Sequence, residues 1–339
     1  MKYSQWLSLI ILVVCLYILW QIRSVLLLSL TAIIFAIVLN RAIIFLQRWI
    51  DSRRLSILAL SAVMILVLGV FGAVIAPSFI NQLQDLIDLT PQIIDQLQNF
   101  IDRAQQSTLP IILPGFEGLK SIVEQLQSLD IRMLLERFFK LFSNTLTITL
   151  NVLLVIVLTI MLLLDPVPYR QLFVRAFPSS ARQRVWHVMD ECESSISGWF
   201  VGILFNMTVI AVLSTVGLWI LGVPLALGNG LLSGLLAFIP NLGPVISVVL
   251  PTAIALLEAP WKAGAVIILY ILIQQIESNV LTPIVMRKQV SLLPALTLVS
   301  QIVFALFFGF LGLLLALPLT LIIQNWLQEF WIKSFLDQH

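Results

Sequence analysis

Two long stretches of the sequence carry no charged side chain, and they constrain the fold more than any other feature. The first runs from Ser194 to Leu257 and the second from Gln289 to Gln328. Each far exceeds the roughly 20 apolar residues that cross a bilayer as a helix. Only 11% of the chain is charged and 60% is hydrophobic, whereas about 25% of a typical soluble domain is charged. The sequence therefore predicts a polytopic membrane protein.

About eight apolar segments can be delimited, and a retained first helix is favoured over a cleaved signal because no small-residue cleavage site follows it. In chain order the segments are Trp6–Trp20, Ser24–Leu39, Leu55–Ala76, Thr145–Leu164, Trp199–Leu221, Gly230–Leu257, Trp261–Ile276 and Leu292–Ile323. Their continuous apolar character indicates helices rather than the alternating strands of a membrane barrel. The predicted fold class is all-α.

Basic residues orient these segments. The second connection contains Arg41, Arg48, Arg53 and Arg54, and the fourth segment is followed by Arg170, Arg175, Arg182 and Arg184. By the positive-inside rule both connections are expected in the cytoplasm, together with the N-terminus. The stretch 77–144 is then expected outside.

That outer stretch is predicted to be an amphipathic helical insertion, because apolar residues recur at helical spacing in 79–104 and again in 119–134. The two apolar stripes either pack on each other or pack on a neighbouring subunit. Such stripes outside a membrane need a partner surface, so we expect a homo-oligomer. The predicted domains are N-terminal helices (1–76), the insertion (77–144), a helix with a cytoplasmic linker (145–198), a C-terminal core (199–325) and a tail (326–339).

The C-terminal core contains two segments that are too long for ordinary spans. As straight helices, Gly230–Leu257 would extend about 42 Å and Leu292–Ile323 about 48 Å, against a hydrocarbon core of about 30 Å. Prolines at three positions interrupt the first, and Gly309 and Gly312 interrupt the second. Each is predicted to be a broken helix or a re-entrant hairpin. For Gly230–Leu257 the hairpin is favoured, since it places Arg287 and the following lysine inside.

Three motifs in this core occur in a fixed order. They are Ile-Pro-Asn-Leu-Gly-Pro-Val (239–245), Glu-Ser-Asn-Val-Leu-Thr-Pro (277–283) and Phe-Gly-Phe-Leu-Gly-Leu-Leu-Leu-Ala-Leu-Pro (308–318). With the segment layout and the long insertion, they resemble the autoinducer-2 exporter family of bacterial permeases. Arg287 and Leu293 stand where glycine and histidine are common in that family. The resemblance implies a bacterial inner-membrane protein; some family members are linked to export of a quorum-sensing signal and others to sodium–proton exchange.

The sequence offers little for other functional classes. It has no phosphate-binding loop of the Walker type and no HExxH motif, and its two histidines lie outside the apolar segments. Two cysteines form neither a disulfide framework nor a zinc cluster. A net charge of +2 is too small to produce the positive electrostatic field that attracts nucleic acid. We therefore expect no enzyme activity, no catalytic residues, no cofactor, no metal site and no nucleic-acid partner. Ser233 is interpreted as a helix-packing residue.

Polar residues inside the apolar core are the remaining candidates for a site. A carboxylate within a membrane is costly and indicates function, although Glu277 could instead cap its segment at the headgroup level. Paired broken helices are the best sequence pointer to a transporter's binding site. The candidate substrate- or ion-binding residues are Asn241, Gly243, Pro244, Gln274, Glu277, Asn279, Gly309 and Gly312. We expect an ATP-independent secondary transporter of a small polar solute or ion. Sodium and protons are the candidate coupling ions. The alternative is a non-transporting oligomeric scaffold organised by the outer helices.

Overall fold

The computed structural model of the protein describes residues 13–15, 17–66, 69, 92, 95–96, 98, 145–240, 242–281, 283 and 294–331. Within these ranges every regular element is a helix, which confirms the all-α class. The helices are α1 (Arg23–Leu46), α2 (Thr145–Leu164), α3 (Pro166–Arg175), α4 (Arg182–Ile220), α5 (Ala226–Leu236), α6 (Leu242–Ser247), α7 (Val249–Glu258), α8 (Pro260–Ile276), a π-helical turn (Glu277–Leu281) and α9 (Pro294–Leu327). Residues 53–66 are also helical.

Several of these helices are long and apolar enough to cross a bilayer. By length and composition, four described helices qualify: Arg23–Leu46, Arg182–Ile220, Pro260–Leu281 and Ala295–Trp331. The bent pair Thr149–Leu164 and Pro166–Arg175 makes a fifth if counted as one span. The protein is thus a multi-pass helical membrane protein. The predicted count of eight stays a prediction, because the first and third apolar segments lie partly outside the described residues.

The boundaries of the helices match the apolar segments at some points and exceed them at others. Helix α2 has the predicted bounds, whereas α1 continues to Leu46 and therefore carries Arg41 within the helix. The predicted polar linker and the apolar span after Trp199 form one helix of 39 residues, α4. No proline occurs between Arg182 and Ile220, so nothing in the backbone forces a break there.

The break between α2 and α3 follows from proline. Asp165 has φ −139° and ψ 79°, outside the helical region, and Pro166 opens the next helix. A residue before proline is disfavoured in the helical conformation because the ring clashes with its backbone. Two helices of different direction result, with 91° between their axes.

The chain forms two compact units, each drawn from separate stretches of sequence. The first unit comprises Met1–Ala62, Leu146–Val201 and Lys288–His339, and the second comprises Val63–Thr145 and Gly202–Arg287. Helix α4 contributes its first half to one unit and its second half to the other. The sequential domain boundaries given above stay a prediction.

In the first unit, helices distant in sequence are held by apolar packing and by one arginine. Leu27 and Ile34 of α1 pack with Ile196 of α4 and with α9. The Arg53 guanidinium donates to the Leu163 carbonyl at the end of α2, at 2.9 and 3.2 Å, and to the side chain of an asparagine on α1 at 3.0 Å. A charged donor that satisfies exposed helix-end carbonyls stabilises that end.

In the second unit, α5 packs closely on α4. A Cβ atom at Gly230 would lie 1.9 Å from Thr215 Oγ1, and one at Gly234 would lie 2.5 Å from the Met207 carbonyl oxygen. Small residues permit this approach of two backbones, as is common between membrane helices. The fully buried Leu218 at the end of α4 belongs to the apolar cluster that joins α4, α7 and α8.

The segment Gly230–Leu257 is interrupted, as predicted, and consists of α5, a turn, α6 and α7. A Cβ atom at Gly243 would lie 1.9 Å from the Leu236 carbonyl oxygen, so the two sides of the turn touch through their backbones. Beyond this segment, Lys262 Nζ at the start of α8 lies 3.5 Å from the Gly222 carbonyl oxygen at the end of α4. The chain therefore leaves and returns to the same end of the second unit.

Helix α9 is interrupted at Gly309, which has φ 65° and ψ −147°. Only glycine adopts this conformation without strain. Three residues later, a Cβ atom at Gly312 would lie 2.1 Å from the Phe304 carbonyl oxygen. Pro318, which the sequence also offers as a breaker, lies buried inside the continuing helix.

Candidate functional site

The central feature of the second unit is a buried carboxylate bonded to a neighbouring helix. Glu277 is 7% exposed, and Asn206 on α4 donates from Nδ2 to its Oε1 atom at 2.9 Å. Gln274, one turn earlier, also lies within hydrogen-bonding reach of Glu277. This burial is against other parts of the protein and fits both a site and a cap at the headgroup level, so that choice stays a prediction.

The backbone at Glu277 is unusual as well. The residue opens a π-helical turn that ends at Leu281, and such turns, with one extra residue per turn, are concentrated at functional sites. In an apolar interior an ionised carboxylate needs a counter-charge or a proton. The pair of Glu277 and Asn206 therefore has the chemistry to bind a proton, a cation or a hydrogen-bonding solute.

A second group of polar side chains lies in the same unit. The Tyr270 hydroxyl is 2.7 Å from Ser233 Oγ, and Ser233 Oγ donates to the Asn229 carbonyl at 2.8 Å. Because the serine proton is used for that carbonyl, the tyrosine is the donor to the serine. Ser214 of α4, fully buried, adjoins the same tyrosine hydroxyl.

These two polar groups share helices α4 and α8. Tyr270 precedes Glu277 by seven positions, and Asn206 precedes Ser214 by eight, which correspond to about 10 and 12 Å along a helix. The interface between α4 and α8 is thus polar at two levels. The sequence led us to interpret Ser233 as a packing residue and gave Tyr270 no role; a tyrosine inside a predicted span was the available signal.

The other predicted site residues have different positions. Gly243 is buried and Pro244 half-buried at the start of α6 in the second unit. Asn279 is exposed, and its Nδ2 donates to Gln275 Oε1 at 2.8 Å rather than turning towards the carboxylate. Gly309 and Gly312 belong to the first unit. Asn241 lies outside the described residues, and the grouping of all eight residues in one site stays a prediction.

One group in the first unit has metal-ligand chemistry, although the sequence predicted no metal site. Ligand atoms of His187, Glu191 and Glu329 lie within 4.8 Å of one another. The histidine side chain is 57% exposed and its Nε2 lies 3.3 Å from a Glu191 carboxylate oxygen. The three side chains are exposed or half-buried, and their arrangement suggests no transport chemistry.

The known proteins that this chain resembles are named as transport proteins. A family model described as AI-2E family transporter matches residues 9–331. YueF of Bacillus subtilis, named as a candidate transport protein, is 26% identical over 208 residues, 61% of this chain and 55% of YueF. YhhT of Escherichia coli K12, named in the same way, is 25% identical over 309 residues, 88% of this chain and 83% of YhhT. TqsA of Escherichia coli K12, named an AI-2 transport protein, is 32% identical over 101 residues, 30% of this chain and 29% of TqsA.

The chain spans about half the length of YueF, so that relative supports the family and not a shared activity. The family model, in contrast, covers nearly the whole chain, including the motifs around the buried carboxylate. The described residues are helical and apolar in the manner of such a membrane protein. On this match the chain belongs to the AI-2E transporter family.

Proposed function

We propose that this protein is an ATP-independent secondary permease of the bacterial inner membrane that moves a small polar solute or an ion. The observation that carries the proposal is the hydrogen-bonded carboxylate of Glu277, buried at the end of a helix long and apolar enough to span a bilayer. A membrane carboxylate held by an amide from another helix is costly to bury, and function accounts for that cost.

The proposed mechanism uses the carboxylate as the coupling group. Glu277 either carries a proton or neutralises a cation such as sodium, and the Asn206 amide orients it. Loss of the bound proton or cation leaves a buried charge, which is unfavourable, so binding and release alter the preferred packing of α8 on α4. The paired interruptions with Asn241, Gly243, Pro244 and the α9 glycines supply the parts that move.

The path of the chain supports a re-entrant hairpin formed by α5, α6 and α7. The start of α8 and the end of α4 adjoin through Lys262 and Gly222, so a single crossing of α5–α7 would need the chain to return once more. The apolar helices Ala226–Leu236 and Leu242–Glu258 are each shorter than a span. In such a hairpin, irregular backbone at membrane depth is buried in protein.

Transport in proteoliposomes tests the proposal. Purified protein is assayed under sodium, proton and solute gradients with a panel of polar solutes, including AI-2 because TqsA is named for its transport. Glu277→Gln keeps the shape of the side chain and removes the charge; we expect at least a ten-fold loss of gradient-driven flux. Glu258→Gln is the matched control. This carboxylate lies at the end of α7, where it pairs with Lys262 rather than with Asn206. Equal flux in both variants would remove the coupling role from Glu277.

Orientation and assembly are part of the same proposal. We place the N-terminus in the cytoplasm and expect single cysteines replacing Arg48 and Phe100, in a background free of Cys15 and Cys192, to label from opposite sides. Labelling of both from outside would refute this topology. We also propose a homo-oligomer, and a monomer mass alone in native mass spectrometry from mild detergent would contradict it.

A further inference from the structure

The direction of helix α3 relative to the membrane follows from its bend against helix α2. Helix α2 has 20 residues and no charge, and at 1.5 Å per residue it extends about 30 Å, the thickness of a hydrocarbon core. Since α3 is bent by 91° at the proline break, a spanning α2 leaves α3 parallel to the membrane surface. We propose that α3, the turn after it and the first turn of α4, which Arg182 joins to that turn through the Phe177 carbonyl at 3.1 Å, form a binding surface for anionic phospholipid headgroups.

The apolar side of this surface is exposed although it lies beside a membrane span. Leu172 is 70% exposed and Tyr169 is 42% exposed, and three positions apart on α3 they share one face of the helix. Nothing among the described residues of the first unit covers them. At the end of a span, such side chains lie at the boundary between headgroups and acyl chains, where an interfacial helix buries its apolar face.

The basic side of the surface follows directly. Arg175, Arg182 and Arg184 are exposed, and none of them forms an ion pair with another described residue. The sequence has no acidic residue between Asp165 and Asp190. Three arginines at the level of the headgroups attract anionic lipid, and a guanidinium binds two phosphate oxygens at once.

Three contacts of Arg170 within the first unit hold α3 in this position. Arg170 pairs with Asp190 and with Glu193 on α4, and its guanidinium lies over the Trp186 ring at 4.8 Å. Because Arg170 is neutralised there, it does not contribute to the lipid-binding charge. The helix is therefore a preformed surface rather than a segment that folds on binding.

An aromatic cluster marks the same level in the membrane. The rings of Phe173 and Phe177 lie 6.1 and 5.8 Å from that of Trp326 near the end of α9. Tryptophan is enriched where membrane meets water. The end of α9 and the end of α3 thus share a position that suits the interface, independently of the bend at Pro166.

Lipid titration of the full-length protein tests the charge. Binding of phosphatidylglycerol and of phosphatidylcholine is measured by native mass spectrometry. The triple variant Arg175→Gln, Arg182→Gln, Arg184→Gln is expected to bind phosphatidylglycerol about 100-fold more weakly, roughly five-fold per arginine, with unchanged phosphatidylcholine binding. The control, Arg41→Gln, Arg48→Gln, Arg54→Gln, changes net charge equally. If both triples lose the same affinity, or neither does, the proposed surface is wrong.

A second measurement tests the apolar side without depending on affinity. Nitroxides on single cysteines replacing Leu172 and Gln171 are compared in nanodiscs of phosphatidylcholine and phosphatidylglycerol. Oxygen, which partitions into acyl chains, is expected to increase the relaxation rate of the spin label at 172. A water-soluble nickel chelate is expected to increase that of the label at 171. Equal exposure of both to the chelate would overturn the interfacial position. Protection of 172 from both reagents would mean that a second copy covers the face, and it would overturn the proposal too.

Discussion

The turn between α5 and α6 allows a stringent test of the structure, because its close backbone contact requires a glycine at position 243. In Gly243→Ala the new Cβ would lie 1.9 Å from the Leu236 carbonyl oxygen, 2.5 Å from its carbonyl carbon and 3.0 Å from the Ala237 nitrogen. All three are backbone atoms and cannot rotate away, so the turn must open by roughly 1 Å or more. Overpacking of this kind costs about 1–3 kcal/mol. We expect Gly243→Ala to lower the free energy of unfolding by about that amount.

Gly264→Ala provides the matched control. Gly264 lies within α8 of the same unit and has nothing within 4 Å of its virtual Cβ, so alanine should stabilise the helix by up to about 1 kcal/mol. The assay is reversible unfolding in mixed micelles, followed by tryptophan fluorescence. The free energies of unfolding of the two variants should differ by about 1–4 kcal/mol, with changes of opposite sign. Equal stability of the two variants would refute the close backbone contact, and with it the compact form of this turn.

Three further substitutions test other contacts. Gly309→Ala should destabilise by about 1–2 kcal/mol in the same unfolding assay, since its φ is 65°; a neutral result would place the kink elsewhere. Arg53→Gln should lower the free energy of unfolding by about 1–3 kcal/mol because it leaves the Leu163 carbonyl at the end of α2 without a charged donor, and unchanged stability would contradict this contact. Tyr270→Phe removes the hydrogen bond to Ser233 and should cost about 0.5–1.5 kcal/mol. Tyr169→Phe, at an exposed position, should be neutral, and equal losses in the two tyrosine variants would argue against the buried pair.

Local chemistry made several elements predictable. The bounds of α2 follow from a run of uncharged residues that ends at Asp165 and Pro166, and the interruption of α9 follows from Gly309. Glu277 could be chosen as a candidate because a carboxylate in apolar surroundings has few structural explanations, and its role stays a prediction. Each of these inferences needed only neighbours in the chain.

Contacts between distant residues were not predictable in the same way. Asn206 lies 71 positions before Glu277, and nothing local indicates which face of α4 meets which turn of α8. The Tyr270 and Ser233 pair is hidden for the same reason. Asn279 is a different case: side chains two positions apart on a helix do not face each other, so its proximity to Glu277 in sequence was a poor reason to place it in the site.

The two interruptions of the C-terminal core share a geometry that distinguishes a role in stability from a role in transport. Gly243 faces the carbonyl of Leu236, and Gly312 faces that of Phe304, at 1.9 and 2.1 Å from a virtual Cβ. Backbone that close covers the very carbonyl oxygen that a bound cation would need at that point. We therefore expect Gly312→Ala to lower stability and reduce flux in proportion to folded protein. Glu277→Gln should instead lower the flux at least ten-fold, as expected above, while the stability of the protein stays unchanged. If the glycine variant instead changed substrate selectivity without loss of stability, the break itself would belong to the binding site.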